Sequence, residues 1–199
     1  MEINGFQLFP TALGAEAQAS LVALVMAAAD TAPFYRPATP GGKAMSVLQT
    51  SFGPLGWITD RSGYRYEPNH PQTGTPWPAM PQVLLDIWGR YAGDAAAPDS
   101  CLVNLYRGEA KMGLHQDADE LDFSVPVLSV SLGDTAVFRL GGEARSDPTR
   151  TVRLASGDIC LLSGASRRFY HGVDRILAGS SRLVPGGGRI NLTMRRAKT

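Results

Sequence analysis

The chain has 199 residues, enough for one well-packed domain, and no second domain is expected. Its 22 glycines and 14 prolines exceed the roughly 12% of an average protein, which argues against a helical bundle and for many strands and turns. A formal net charge of +1 leaves room only for a local basic stripe, for which Arg61, Arg65, Lys111, Arg145, Arg167 and Arg168 are the candidates.

Residues 5–9 read as a short strand ahead of Pro10. Thr11 is a fair N-cap for a helix whose Leu13, Ala17, Leu21, Leu24, Val25 and Ala28 share one face. The apolar run Leu21–Ala29 has no Lys or Arg before it, so it lacks the basic flank of a signal peptide. No run approaches the roughly 20 apolar residues of a membrane span. A cytoplasmic protein without membrane association is expected. From Thr31 to Tyr66 the pattern loosens, with an alternating run through Ala44, Ser46, Leu48 and Thr50, and with Trp57, Tyr64 and Tyr66 as aromatics that could anchor a cover or stack on an unpaired base.

Residues 68–78 carry four prolines and exclude regular structure. Pro81 then opens a helix that buries Val83, Leu84, Ile87, Trp88 and Tyr91. Beyond it the chain breaks into eight short strand-like runs: 101–107, 113–118, 127–132, 136–140, 151–155, 158–163, 167–172 and 189–195. Such spacing fits an antiparallel sandwich or jelly roll, whose mouth can hold a metal. Cys101 and Cys160 lie inside two of these runs and read as buried free thiols in a reducing compartment. Residues 178–188 are rich in glycine and read as a loop.

Two segments carry chemistry. If residues 114–118 are extended, His115 and Asp117 point the same way and Gln116 the other. A lone His-x-Asp is usually a hydrogen-bonded pair that fixes a tautomer. Here the chain has only three histidines, and His171 offers a third ligand. Two imidazoles and a carboxylate suit non-haem Fe(II) with three open positions, and they also suit catalytic zinc. The run Arg189–Arg195 alternates strictly, with Ile190, Leu192 and Met194 on one face and Arg189, Asn191, Thr193 and Arg195 on the other. Its two arginines would lie roughly 20 Å apart on an extended strand, so both arms could lean on a small dicarboxylate between them. Iron and a dicarboxylate clamp together imply 2-oxoglutarate.

The chain resembles the AlkB family of Fe(II)- and 2-oxoglutarate-dependent dioxygenases, which repair alkylated nucleic-acid bases. The resemblance runs through Met45–Val47, Leu55–Trp57, Pro76–Gln82, Asn104–Tyr106, His115–Glu120, Ser129–Gly133, Phe169–Gly172 and Arg189–Arg195, most of the chain from about residue 40 onward. It implies an α+β, β-rich fold: a double-stranded β-helix (jelly roll) core over about 101–199, with supporting helices and an N-terminal nucleotide-recognition lid within about 31–98. It implies Fe(II) on His115, Asp117 and His171, with 2-oxoglutarate and O2 as co-substrates. Arg189, Asn104 and Tyr106 would take the C5 carboxylate of 2-oxoglutarate, and Arg195 with Asn191 the C1 carboxylate. Met45, Trp57, Tyr64, Asp119 and Arg145 would contact the substrate.

The implied activity is oxidative demethylation of bases such as 1-methyladenine and 3-methylcytosine in DNA, with RNA as an alternative, releasing formaldehyde, succinate and carbon dioxide. The base would be flipped or single-stranded, and the protein a monomer. An oxygenase for proteins or small molecules would have no use for Trp57 and Asp119. A non-catalytic sensor would tolerate loss of a ligand, and zinc hydrolysis leaves the Arg189–Arg195 strand unexplained.

Overall fold

A computed structural model describes residues 1–198. In chain order the elements are β1 (Glu2–Ile3), β2 (Phe6–Phe9), α1 (Ala15–Ala28), β3 (Leu48–Phe52), β4 (Gly56–Asp60), β5 (Gly63–Glu67), α2 (Gln82–Tyr91), β6 (Ser100–Tyr106), β7 (Met112–His115), β8 (Val127–Gly133), β9 (Thr135–Leu140), β10 (Arg150–Leu154), β11 (Ile159–Leu162), a 3-10 turn (Gly164–Arg168), β12 (His171–Leu177) and β13 (Arg189–Arg195). The major sheet runs β1-β2-β11-β8-β13-β6-β3, the minor sheet β10-β9-β12-β7, and β4 and β5 form a separate hairpin. Every pairing is antiparallel. The two sheets make the jelly roll expected from the strand spacing.

Strand β13 shows how the sequence builds the layers. Ile190, Leu192 and Met194 join a core with Leu21, Val25, Leu84, Ile87 and Trp88 of the two helices. Its other face, Arg189, Asn191, Thr193 and Arg195, lines a cavity between the sheets. Period-2 alternation is thus what puts four polar side chains inside the molecule. Phe6, Val127, Phe138, Leu154 and Cys160 form a second apolar cluster, on the inner side of the roll. Both cysteines are free and buried. No helix among the described residues is long and apolar enough to cross a membrane.

Several elements differ from the expectation. Helix α1 starts at Ala15 behind Gly14 rather than at Thr11, whose φ is +49° and whose N–H donates to Asp158 Oδ1 at 2.8 Å. It buries Leu21, Val22 and Val25 and leaves Leu24 exposed, because its alanine-rich surface gives little to fix the phase of the face. The strand expected over 44–50 begins only at Leu48. Residues 167–170 are not strand: the 3-10 turn ends at Arg168 and β12 runs from His171 to Leu177. Strand β7 stops at His115, short of residue 118.

The β4–β5 hairpin was hidden in the region where the pattern loosens. Its turn is closed by Asp60, which accepts the Ser62 N–H at 2.7 Å and pairs with Arg65 at 2.8 Å, while Gly63 takes φ +109°. An aspartate-initiated turn needs no Asn-Gly signature. As expected, no regular element spans 68–78, and α2 buries Leu84, Ile87 and Trp88 behind Pro81.

Candidate active site

The metal cluster arises from a cross-strand pair. His115 of β7 and His171 of β12 are directly opposed in register, which points both rings to one face, with centroids 4.6 Å apart. Gly172 permits this, since a Cβ there would sit 2.6 Å from the Met112 carbonyl oxygen and force the strands apart. The chain leaves β7 after His115, and Asp117 turns in to meet both rings. Its Oδ1 lies 3.8 Å from His115 Nε2 and its Oδ2 lies 3.6 Å from His171 Nε2. One ligand atom from each residue falls within 4.8 Å of the others. Each imidazole donates its Nδ1–H to a backbone carbonyl, His115 to Gly113 and His171 to Phe169, both at 2.9 Å. Carbonyls only accept, so both Nε2 lone pairs remain free for a cation.

The protonation states agree. Burial and the neighbouring His115 push His171 down to about 4, against the opposing pull of Asp117, so its imidazole is neutral. Burial alone would raise the Asp117 carboxyl, but Arg195, the two histidines and Arg167 outweigh it and hold the group ionised well below the usual carboxylate range. Arg195 donates to Asp117 Oδ1 at 3.0 Å and to Glu120 Oε1 at 3.2 Å. Arg167 donates to the Asp117 carbonyl at 2.6 Å and to Glu120 Oε2 at 2.7 Å. Arg167 is therefore buried in the ligand loop's support and is no part of a surface stripe. Arg65, bridged to Asp60 and Glu67, is likewise committed within the hairpin.

The cavity beside this cluster measures about 520 Å³. At its far end Arg189 is almost wholly buried and faces no carboxylate within salt-bridge distance among the described residues. It donates to Ser131 Oγ at 2.8 Å and to the Leu154 carbonyl at 3.3 Å, and its Nε has no partner among the described residues. A buried cation without a counter-ion is costly, and burial depresses its pKa. An anionic group such as a carboxylate is what this end lacks among the described residues. Tyr106, opposite Arg189 in register, also lines the cavity, its phenol pushed up to about 12 by burial and therefore a hydrogen-bond donor. Asn104 follows two residues back on the same face. Asn191 is more committed: its Nδ2 donates to Ser129 Oγ and the Val130 carbonyl, and its Oδ1 accepts from the Thr193 hydroxyl.

The hairpin closes the cavity mouth. Trp57 and Tyr64 line it, stacked with centroids 5.6 Å apart and planes 17° from parallel. Trp57 Nε1–H donates to Asp119 Oδ2 at 2.7 Å, and Tyr66, the cross-strand partner of Trp57, donates to Glu120. Met45 lines the same mouth. Of the residues expected here, only Arg145 stays outside the cavity lining; its guanidinium sits 5.9 Å from the Tyr170 ring centroid. Residues not anticipated as part of the site are Gln49, Glu120 and Arg167. The sequence offers Arg167 only as a surface-stripe candidate, Glu120 only as the end of the His115–Glu120 run and Gln49 not at all, because each acts through a partner far away in the chain.

Fold and site together define a non-haem iron oxygenase that uses a 2-oxo acid. The family model described as the 2OG-Fe(II) oxygenase superfamily matches residues 5–195. A protein of Caulobacter vibrioides named alpha-ketoglutarate-dependent dioxygenase AlkB homolog is 60% identical over 197 residues, covering 99% of this chain and 90% of that one. The Escherichia coli alpha-ketoglutarate-dependent dioxygenase AlkB is 47% identical over 173 residues, covering 85% and 80%. The solved structure of OsALKBH1 superposes with a TM-score of 0.85 at 30% identity, covering 98% of both chains. Within the 2OG-Fe(II) oxygenase superfamily, the chain belongs to the AlkB family. It is an Fe(II)- and 2-oxoglutarate-dependent dioxygenase with His115, Asp117 and His171 as its metal triad.

Proposed function

We propose that this dioxygenase removes methyl groups from ring nitrogens of damaged nucleic-acid bases, with 1-methyladenine and 3-methylcytosine in DNA as its principal substrates. The single observation that carries the reading is the mouth of the cavity, where a stacked Trp57–Tyr64 pair and the Asp119 carboxylate stand over the metal triad. Bound iron and 2-oxoglutarate supply the oxidising power, with O2 consumed and succinate, carbon dioxide and formaldehyde released. The protein's own part is to position and shield.

Arg189, Asn104 and Tyr106 would hold the distal carboxylate, and Arg195, which also donates to Asp117 Oδ1, would take the near one. Asn191 braces that strand through Ser129 and Thr193. The aromatic pair offers a π face to an extruded base, for which stacking contributes about 1–3 kcal/mol. A base methylated on its pairing edge is cheap to extrude, because its pair is already broken. Trp57 occupies Asp119 Oδ2 while Oδ1 has no hydrogen bond among the described residues, so a carboxylate oxygen remains to accept the amino hydrogen of a cationic base. Arg145, beside Tyr170 and outside the lining, meets the strand flanking the base rather than the base itself.

The whole chain works as one domain and as a monomer, with the segment 31–98 carrying the recognition lid and its supporting helix and 101–199 the catalytic core. The test is to load the protein with Fe(II) and 2-oxoglutarate without oxygen, then admit oxygen with a methylated or an unmethylated oligonucleotide. Formaldehyde matching succinate, and only with the methylated strand, is the expected result. Succinate without formaldehyde on every methylated nucleic acid would reject the reading.

A further inference from the structure

The polar inner face of the major sheet contains a row of four residues directly opposed in register: Gln49 on β3, Asn104 on β6, Asn191 on β13 and Ser131 on β8. Gln49 is almost fully buried, and its Nε2 donates to Asn104 Oδ1 at 2.8 Å. Its own Oε1 is buried without a partner among the described residues. The backbone of Gln49 is held on the opposite edge by Tyr35, through reciprocal N–H···O=C bonds of 3.0 and 2.8 Å. An amide has one acceptor and one amino group. With Oδ1 occupied by Gln49, Asn104 turns its amino group to the cavity, where it has no partner among the described residues.

We infer that Gln49 is a positioning residue for the acidic co-substrate: by occupying the Asn104 acceptor, it fixes the amide so that the cavity receives a donor. This rests on the proposed role of Asn104 at the 2-oxoglutarate carboxylate and extends it to a residue of β3, within the segment that carries the lid. The polarity matters because the ligand is an anion. Beside Arg189 and the Tyr106 hydroxyl, an Asn104 amino group makes a third donor, whereas the flipped amide would point a carbonyl oxygen at a carboxylate. The neighbour in the row shows the contrast, since Asn191 spends both amide hydrogens within the sheet and has none left for a ligand.

The inference separates two substitutions of similar size. Gln49→Met removes the donor and leaves Asn104 free to choose either orientation. Gln49→Glu, when ionised, offers only acceptors and draws the Asn104 amino group away from the cavity. Calorimetric titration of 2-oxoglutarate into the full chain loaded with Mn(II) reads the effect without turnover. Expected losses in affinity are about twofold for Gln49→Met, the cost of ordering an amide with two equal orientations, and about tenfold for Gln49→Glu, roughly one hydrogen bond.

The decisive arm is the cycle of Gln49→Met with Asn104→Ala. A residue acting through Asn104 adds nothing once Asn104 is gone, so the double variant should bind as weakly as Asn104→Ala alone. Full additivity, or an unchanged affinity in Gln49→Met, overturns the inference. Should Gln49→Glu fail to fold, the methionine variant and the cycle still decide. If Asn104→Ala binds normally while Arg189→Ala does not, the positioning role falls and the clamp stands. If neither weakens binding, the proposed co-substrate site itself is wrong.

Discussion

The two arginines that end β13 look equivalent in the sequence and are opposites in the fold. Arg195 is bound to Asp117 and Glu120, and these carboxylates with Tyr66 more than offset the burial that would depress its pKa. Arg189 faces no carboxylate among the described residues at salt-bridge range, and burial lowers its pKa against the weaker opposing pull of Tyr106, Cys160 and Asp158. Two polar inward positions separate them on one strand face, yet the Arg195 arm is paired with carboxylates, although its Nε too lacks a partner among the described residues, and the Arg189 arm faces none. A symmetrical clamp is therefore too simple. The Arg195 end belongs first to the metal ligand, and the Arg189 end belongs to the co-substrate.

The largest way to break this contrast is at the metal. Asp117→Ala removes a ligand and strips Arg195 of its partner, so turnover should vanish and metal affinity fall by more than about 100-fold, beyond what loss of an outer partner does. His115→Ala and His171→Ala should match it in a metal titration, and normal turnover in any of the three would remove that residue from the ligand set. Next comes Glu120, which neutralises both Arg167 and Arg195 in a buried cluster. Glu120→Gln should cost about 3 kcal/mol in chemical denaturation, because it leaves buried guanidinium charge uncompensated. A stability change typical of a surface substitution would mean that the cluster relaxes without loss.

At the other end, Arg189→Ala should weaken 2-oxoglutarate binding by about 100-fold, within the range for removing one partner of a buried charged pair. Arg189→Lys should recover only part, since an ammonium lacks the planar fork. Metal affinity should stay near that of the parent. The smallest expected effect is at the mouth. Asp119→Asn should slow repair of cationic 1-methyladenine about tenfold, the size of one charged hydrogen bond, and leave neutral 3-methylthymine nearly unaffected. Equal losses on both lesions would show that Asp119 serves only to hold Trp57.

The sequence made the core of this legible wherever a period was strict. The alternation of Arg189–Arg195 forecast both the strand and its inward polar face, and His115, Asp117 and His171 do converge. Yet an extended run through residue 118 is not what brings Asp117 in, since β7 ends at His115 and the chain turns to deliver the carboxylate. Local periodicity cannot see that, because the turn is fixed from outside by Arg167 and Arg195. The β4–β5 hairpin escaped notice for a related reason: its closure rests on Asp60 and Arg65 side chains rather than on turn glycines alone. Gln49 looked like an ordinary strand residue, since the feature that matters, its bond to Asn104 across 55 positions, exists only in the folded sheet.

The most direct test of the asymmetry is one calorimetric series on the parent, Arg189→Ala and Arg195→Ala, titrated first with Mn(II) and then with 2-oxoglutarate. The account predicts that Arg189→Ala keeps the metal and loses the co-substrate, whereas Arg195→Ala weakens the metal step itself. Two variants with the same profile, or a metal defect in Arg189→Ala alone, would contradict it.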